Sequence, residues 1–209
     1  MLRSIDIASA ESHLSAADPI MASLIAHHGP VEPRPAVDNP FMALCRSITY
    51  QQLSGKAAGA IFGRLAALAA PGTFPTPAQV LGFTDEQLRA VGQSRQKVAA
   101  LRSLAAHFTN GDLGAHVFEE MDDESVIERL LQVRGIGRWS AEMFLMFQLQ
   151  RPDVLPVNDL AINRAIMQHY GLDAPSKPAE VRRIGEPWRP WASVACLHLW
   201  QSQHVALPE

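Results

Sequence analysis

Two glycines separated by one apolar residue constrain this chain more than any other feature. They lie in the sequence Val133-Arg134-Gly135-Ile136-Gly137-Arg138, between segments whose apolar residues recur at helical spacing. Glycine permits backbone geometry that a β-carbon would obstruct, so the pattern predicts two helices joined by a tight hairpin. The N–H groups of the hairpin can converge on a phosphate, aided by the start of the following helix, while Ile136 anchors the turn in the core. A plain helix corner that needs glycine for a sharp bend is the alternative.

A single carboxylate follows the hairpin. Asp159 stands beside Asn158, where the pattern predicts the start of the next helix. A backbone cradle for a phosphate with one acid nearby indicates chemistry on a nucleic acid. The alternative is that Asp159 only caps its helix, since aspartate is a preferred N-cap residue.

The rest of the chain also has a helical pattern. We expect an all-α fold of roughly nine to eleven short helices, because no segment alternates at the period of a strand. The predicted helix starts carry N-cap residues, and Thr84 with Gln87 has capping-box spacing. Residues 137–150 are predicted to form one helix after the hairpin. The predicted starts are Asp18-Pro19, Asn39-Pro40, Ser54, Thr76-Pro77, Thr84, Ser94, Asp122 or Asp123, Gly137, Asn158, Pro178 and Pro190.

Short linkers indicate one domain over residues 1–209, built from two helical lobes. One lobe is expected at about 38–112, and the other, with the hairpin and Asp159, at about 122–203. Residues 112–123 are the expected crossing point, and the N-terminal helices are expected to pack on the second lobe. The active-site cleft is expected between the lobes.

Composition excludes several classes of protein. Hydrophobic residues make up 47% and charged residues 19%, which is typical of a globular protein and not of a disordered one. No apolar run is long enough for a membrane span, and no signal peptide is evident, so we expect a cytoplasmic, nucleoid-associated protein without membrane contact. Cys45 and Cys196 fit reduced core residues. The net charge of −3 argues mildly against a nucleic-acid partner, but arginines gather near the hairpin, which allows a basic face.

Several motifs together resemble the helix-hairpin-helix DNA glycosylase superfamily, and within it the 3-methyladenine DNA glycosylase II branch. The resemblance covers most of residues 38–203 and is similar to the compact form of the family, which has no N-terminal β lobe. The motifs are Val133–Ala141 with Pro156 and Asp159, then Ile48–Ser54, Trp188–Trp191 and Leu197–Trp200.

The resemblance implies that Asp159 is the catalytic acid. Cleaving an N-glycosidic bond builds positive charge on the sugar, which a fixed carboxylate stabilises. The same group can orient or deprotonate the attacking water. The implied activity is removal of alkylated bases of the 3-methyladenine and 7-methylguanine type from damaged double-stranded DNA, leaving an abasic site.

The resemblance also implies a base pocket and a wedge. The target base must leave the stack, and the pocket would be lined by Trp139, Met143 and Trp200, whose indoles attract cationic alkylpurines. The best-known relatives have an aromatic residue at the position of Met143. Gln52 or Leu53 would fill the gap left in the duplex. Core packing is the alternative for Trp200, and capping chemistry around Ser54 for the turn.

Relatives that also cleave the strand use a lysine nucleophile, and Trp139 stands at that position here. The resemblance therefore implies a monofunctional hydrolase without metal or other cofactor, acting as a monomer. The resemblance also allows a monovalent cation that bridges the hairpin and a phosphate. Three alternatives stay open: a glycosylase for uracil, hypoxanthine or ethenoadenine, a non-catalytic DNA-binding module, and a helical interaction scaffold. Salt-sensitive duplex binding would separate the scaffold from the others.

Overall fold

The structure, a computed structural model, describes residues 5–32, 36 and 39–203, and within these ranges every regular element is a helix. The expected all-α class is confirmed. A π-helical turn covers Phe144–Gln148 and a 3₁₀ turn covers Glu186–Trp188. The α-helices of the described ranges are α1 (Ile7–Ala17), α2 (Pro19–His28), α3 (Pro40–Tyr50), α4 (Gly55–Ala66), α5 (Pro77–Gly82), α6 (Asp85–Ala90), α7 (Arg95–Thr109), α8 (Ala115–Glu120), α9 (Asp123–Leu131), α10 (Arg138–Met143), α11 (Leu160–His169), α12 (Pro178–Gly185) and α13 (Ala192–Ser202).

Most helix starts follow from local capping chemistry. Asn39 accepts a hydrogen bond from the N–H of Met42 and begins α3. Thr84 and Gln87 form the reciprocal capping box that their spacing predicts. These interactions join residues two or three positions apart, which is why they can be predicted without tertiary structure.

The described ranges contain thirteen α-helices where nine to eleven helices were expected, and α1 is a helix for which no start was predicted. Two further elements also differ from the sequence-based prediction. The expected crossing segment at 112–123 contains α8, whose Phe118 is buried and packs edge-on against Phe144 with ring centroids 5.1 Å apart. The single helix predicted over 137–150 ends at Met143 and continues as the π-helical turn. A π turn adds a residue to the helical repeat and shifts the phase of the side chains after it.

The described chain divides into two compact units. The terminal unit combines the segment up to residue 36 with everything from Leu145 onward, and the central unit runs from residue 39 to Phe144. This division differs from the expected lobes, because the hairpin lies in the central unit. Within the central unit the hairpin is bonded to α7, where Ser103 Oγ accepts a hydrogen bond from the Arg134 N–H at 3.1 Å.

Within the terminal unit, α13 packs against both α2 and α11. Asp18 fixes the start of α2, since its Oδ1 accepts from the N–H groups of Ile20 and Met21. Its Oδ2 accepts from Tyr170 Oη at 2.6 Å and Trp188 Nε1 at 2.8 Å. This carboxylate is buried and fully engaged in holding helices together.

Within the central unit, α7 is the common partner of α3, α5 and α6. Its buried face carries Val98, Leu101 and Leu104. Phe108 near its end packs edge-on against Phe41 with ring centroids 5.1 Å apart. No helix of the described ranges is long and apolar enough to cross a membrane.

Candidate nucleic-acid interface and carboxylate site

The hairpin turns at Gly135, between α9 and α10. The N–H of Ile136 donates to the carbonyl of Val133 at 3.1 Å and closes the turn. Val133 and Ile136 are buried, whereas Arg134, Gly135, Gly137 and Arg138 are exposed. The expectation that Ile136 anchors the hairpin is confirmed. The Arg134 N–H and the Gly135 carbonyl also have partners inside the protein, in Ser103 Oγ and Gln51 Nε2.

Gly135 and Gly137 differ in backbone conformation and in surroundings. Gly135 has a φ of +82°, which disfavours other residues, and a β-carbon there would lie 3.2 Å from Ala100 Cβ. Gly137 has a φ of −98° and a ψ of 171°, which any residue adopts, and a β-carbon would meet nothing within 4 Å. A β-carbon was expected to be disfavoured at both glycines. Within the protein it is disfavoured only at Gly135. At Gly137, any requirement for glycine has to come from a molecule outside the chain.

The first turn of α10 begins at an exposed part of the chain, since Gly137 and Arg138 are both exposed. Gly137 is the N-cap and makes no side-chain capping hydrogen bond. The first N–H groups of an α-helix have no partner within the helix, and they attract anions. This geometry suits the predicted phosphate cradle.

The Arg138 side chain is already engaged by carboxylates. Its Nη1 and Nη2 donate to Glu124 at 2.7 Å each, and its Nε donates to Glu142 at 3.1 Å. Hydrogen bonding from Arg138 lowers the pKa of the Glu124 carboxyl. Arg138 thus links the start of α9 to α10 through its side chain. The part of Arg138 that fits the predicted phosphate cradle is therefore its backbone N–H.

The predicted wedge turn, Gln51-Gln52-Leu53, joins α3 to α4. Gln52 has a φ of +58°, an uncommon conformation for a residue with a β-carbon. Leu53 is 41% exposed, so its apolar side chain is accessible from solvent. Gln51 Nε2 donates to the carbonyl of Gly135 at 2.9 Å, so the turn and the hairpin are bonded to each other.

Lys97, in the first turn of α7, is a functional candidate that the sequence analysis did not identify. Its Nζ donates to the carbonyl of Thr49 at 2.6 Å and to that of Gln51 at 2.8 Å. Partial burial lowers the pKa of this ammonium group. No local signal could have found it, because lysine near the start of a helix is common on protein surfaces.

Asp159 begins α11 and is 6% exposed. Its Oδ1 accepts from the N–H groups of Ala161 and Ile162 at 2.9 Å each, as the capping alternative requires. The same oxygen accepts a third hydrogen bond, from Trp200 Nε1 at 3.1 Å. These three donors stabilise a buried charge and fix the orientation of the carboxylate.

The structure brings Trp200 together with Asp159. Trp200 is 1% exposed, as the core-packing alternative predicts. Its Nε1 hydrogen bond also gives it a direct contact with the Asp159 carboxylate. The half-buried ring of Phe147 stacks on it with centroids 5.9 Å apart. Sequence reasoning did not single out Phe147, whose position depends on the π-helical turn.

The other two predicted pocket residues belong to the central unit. Trp139 lies in the first turn of α10 and is 43% exposed. Met143 ends that helix and is buried. Their assignment to a base pocket stays a prediction, as does the monovalent cation. Among the described residues, no group of three or more His, Cys, Asp or Glu side chains could hold a metal ion.

The chain matches a known protein family over a region that includes the hairpin and Asp159. Residues 45–190 match the family model described as HhH-GPD superfamily base excision DNA repair protein. DNA-3-methyladenine glycosylase 1 of Schizosaccharomyces pombe is 34% identical over 203 residues, covering 96% of this chain and 89% of that protein.

Two solved structures share the fold over nearly the whole chain. A DNA-3-methyladenine glycosidase from Bacillus halodurans has a TM-score of 0.84 and 36% identity, covering 96% of this chain and 91% of that one. The 3-methyladenine DNA glycosylase Mag1 of S. pombe, in complex with abasic DNA, has a TM-score of 0.83 and 35% identity. That match covers 95% of this chain and 98% of that one.

Proposed function

This chain belongs to the HhH-GPD superfamily of base excision DNA repair proteins, and we propose that it is a monofunctional DNA glycosylase that excises alkylated bases. Its substrates are 3-methyladenine and 7-methylguanine type bases in double-stranded DNA, and its product is an abasic site. The observation that carries the proposal is the buried Asp159 carboxylate, held by three donors on one oxygen. Relatives named for 3-methyladenine support the substrate class.

Asp159 supplies the charge that the reaction needs. As the N-glycosidic bond breaks, the sugar becomes oxocarbenium-like and positive, and a preorganised carboxylate stabilises it without reorganisation. The same carboxylate orients or deprotonates the water that attacks the sugar. Alkylated purines that carry positive charge are good leaving groups, so the reaction needs no strong general acid.

The hairpin and the wedge turn supply the contacts with DNA. Backbone N–H groups after Gly137 bind a phosphate and position the duplex without reading its sequence. Gln52 or Leu53 enters the base stack and stabilises the gap left by the flipped nucleotide. The exposure of Leu53 and the left-handed backbone at Gln52 support this assignment.

The test measures base release from duplex DNA methylated to contain 3-methyladenine and 7-methylguanine, without added metal. We expect the wild type to release both bases and to leave abasic sites without strand cleavage. Asp159→Asn should release bases at least about 10²-fold more slowly, the scale expected for loss of a catalytic proton-transfer group. Asparagine is an equally good N-cap, so the change removes charge and keeps the helix start.

Asp18→Asn is the matched control. Asp18 is also a buried N-cap aspartate with a tryptophan Nε1 donor, but its partners hold α2 in place. This variant should lose stability and retain base release below its unfolding temperature. Full activity of Asp159→Asn would refute the role of Asp159. Duplex binding without base release by the wild type would favour a different lesion first and a binding module second.

A further inference from the structure

One side of α7 presents three residues at a spacing of three. Lys97 contacts the wedge turn, Ala100 lies against Gly135 of the hairpin, and Ser103 binds the backbone of the hairpin. Residues three apart are neighbours on a helix surface, so the three form one row. A single rigid helix therefore holds both of the loops that the proposed function assigns to DNA.

The Lys97 end of the row holds the C-terminus of α3. The last carbonyls of a helix have no partner within it and carry partial negative charge. The Lys97 ammonium bonds one of them, at Thr49, and also the carbonyl of Gln51 in the wedge turn. A charged donor on two carbonyls is stronger than a neutral one and fixes the direction in which the chain leaves α3.

The other end of the row holds the hairpin. Ser103 Oγ accepts from the N–H of Arg134, and the approach of Gly135 to Ala100 leaves no room for a β-carbon without displacement. Gln51 then links the two loops directly, since its Nε2 donates to the carbonyl of Gly135. Lys97, Gln51 and the hairpin thus form a continuous set of contacts across the central unit.

We propose that Lys97 is a positioning residue that sets the place of the wedge turn relative to the phosphate-binding hairpin. This inference rests on the proposed function. The left-handed conformation of Gln52 persists only where its surroundings hold it, and the Lys97 bonds to the preceding residue supply that support. A wedge that is displaced by about 1 Å would enter the stack poorly, and misplacement on that scale costs about 10²-fold in rate.

The experiment compares wild type, Lys97→Met and Arg102→Met. Methionine keeps the apolar stem of Lys97 and removes both hydrogen bonds. Arg102 is the matched control, because it also lies on α7 and donates to two backbone carbonyls, those of Leu81 and Phe83 at the end of α5, far from the wedge in sequence. The probes are methylated duplex, undamaged duplex, and a duplex with 2-aminopurine beside an abasic-site analogue.

For Lys97→Met we expect single-turnover base release at saturating enzyme to fall about tenfold to a hundredfold. The 2-aminopurine signal of an opened base stack should be lost. Affinity for undamaged duplex should stay within about twofold, because phosphate contacts supply most non-specific binding. Arg102→Met should match the wild type in all three measurements. Thermal unfolding confirms that each variant is folded at the assay temperature.

A second variant covers the case in which Lys97→Met does not fold. Gln51→Leu removes only the exposed side-chain hydrogen bond to the Gly135 carbonyl and should reproduce the loss of the fluorescence signal. The inference is overturned if Lys97→Met, or Gln51→Leu in its place, behaves like Arg102→Met. A wild type that opens the stack and releases no base would instead contradict the proposed function, and fluorescence would still decide the role of Lys97.

Discussion

Trp200 Nε1 donates a hydrogen bond to Asp159 Oδ1 at 3.1 Å, joining the C-terminal part of α13 to the N-cap residue of α11. A helix cap needs only the N–H groups of its own first turn. The additional donor comes from a buried indole, so the carboxylate cannot rotate without breaking a bond to the core. Trp200 therefore orients the proposed catalytic group, whatever it contributes to a base pocket.

Replacing Trp200 by phenylalanine tests that orientation. Phenylalanine keeps an aromatic ring against Phe147 and removes the Nε1 donor. A hydrogen bond to a charged group contributes about 1.5–3 kcal/mol, so we expect single-turnover base release to fall at least about tenfold. Affinity for undamaged duplex should hold. If base release survives while only the unfolding temperature drops, Trp200 is a core residue alone.

Gly137→Ala should separate DNA binding from stability. The backbone at Gly137 suits alanine, and the added β-carbon meets no atom of the protein within 4 Å. We expect an unchanged unfolding temperature and a clear loss of duplex affinity, measured by fluorescence anisotropy. The β-carbon would stand where a phosphate approaches the N–H groups of α10.

Gly135→Ala is the contrasting change in the same turn. With φ at +82° and Ala100 close by, alanine should lower the free energy of unfolding by about 1–2 kcal/mol. If Gly137→Ala bound duplex as well as the wild type, the hairpin would be a structural corner and the phosphate assignment would fall.

Arg134 and Arg138 should respond differently to alanine substitution. Arg134 is exposed, and Arg138 is bonded to Glu124 and Glu142. Arg134→Ala should weaken binding to all duplex sequences. The slope of log affinity against log salt concentration should become shallower by about one, the value expected for one phosphate contact. Arg138→Ala should mainly lower the free energy of unfolding, because it removes the ion pairs with Glu124 of α9 and Glu142 of α10. Binding isotherms at several salt concentrations, together with thermal unfolding, distinguish the two. Equal salt slopes for both variants would contradict this division.

Acid should destabilise the terminal unit through His198. This residue is fully buried, with Nε2 3.1 Å from Glu11 Oε1 and no hydrogen-bond partner at Nδ1. Burial lowers the pKa of His198, with a further lowering from His28 and an opposing effect from Glu11. The unfolded chain then binds a proton more readily than the folded one, so stability is full above about pH 6.5 and is lost as the pH falls below it.

The measurement is the free energy of unfolding in urea at pH 7.5 and pH 5.5, for wild type and His198→Gln. The wild type should lose more stability between the two pH values than the variant does. An equal loss in both proteins would assign the acid sensitivity to other groups.

Local signals in the sequence predicted much of this structure. The N-caps at Asn39 and Thr84, the anchoring of Ile136 and the N-cap position of Asp159 depend on residues within a few positions of each other. The all-α class followed from helical periodicity alone. The single helix predicted over 137–150 was wrong beyond Met143, where a π-helical turn begins at Phe144, a residue that packs on the distant Phe118.

The sequence by itself determined the hairpin, its acid and the family that these motifs indicate. Tertiary structure alone decided which groups meet: Trp200 and Asp159 are 41 residues apart, Lys97 and Gln51 are 46 apart, and Gln51 and Gly135 are 84 apart. It also separated the roles of Gly135 and Gly137, which look alike in sequence. The physical reason is that capping and turn formation depend on neighbours along the chain, whereas these contacts exist only after distant helices have packed.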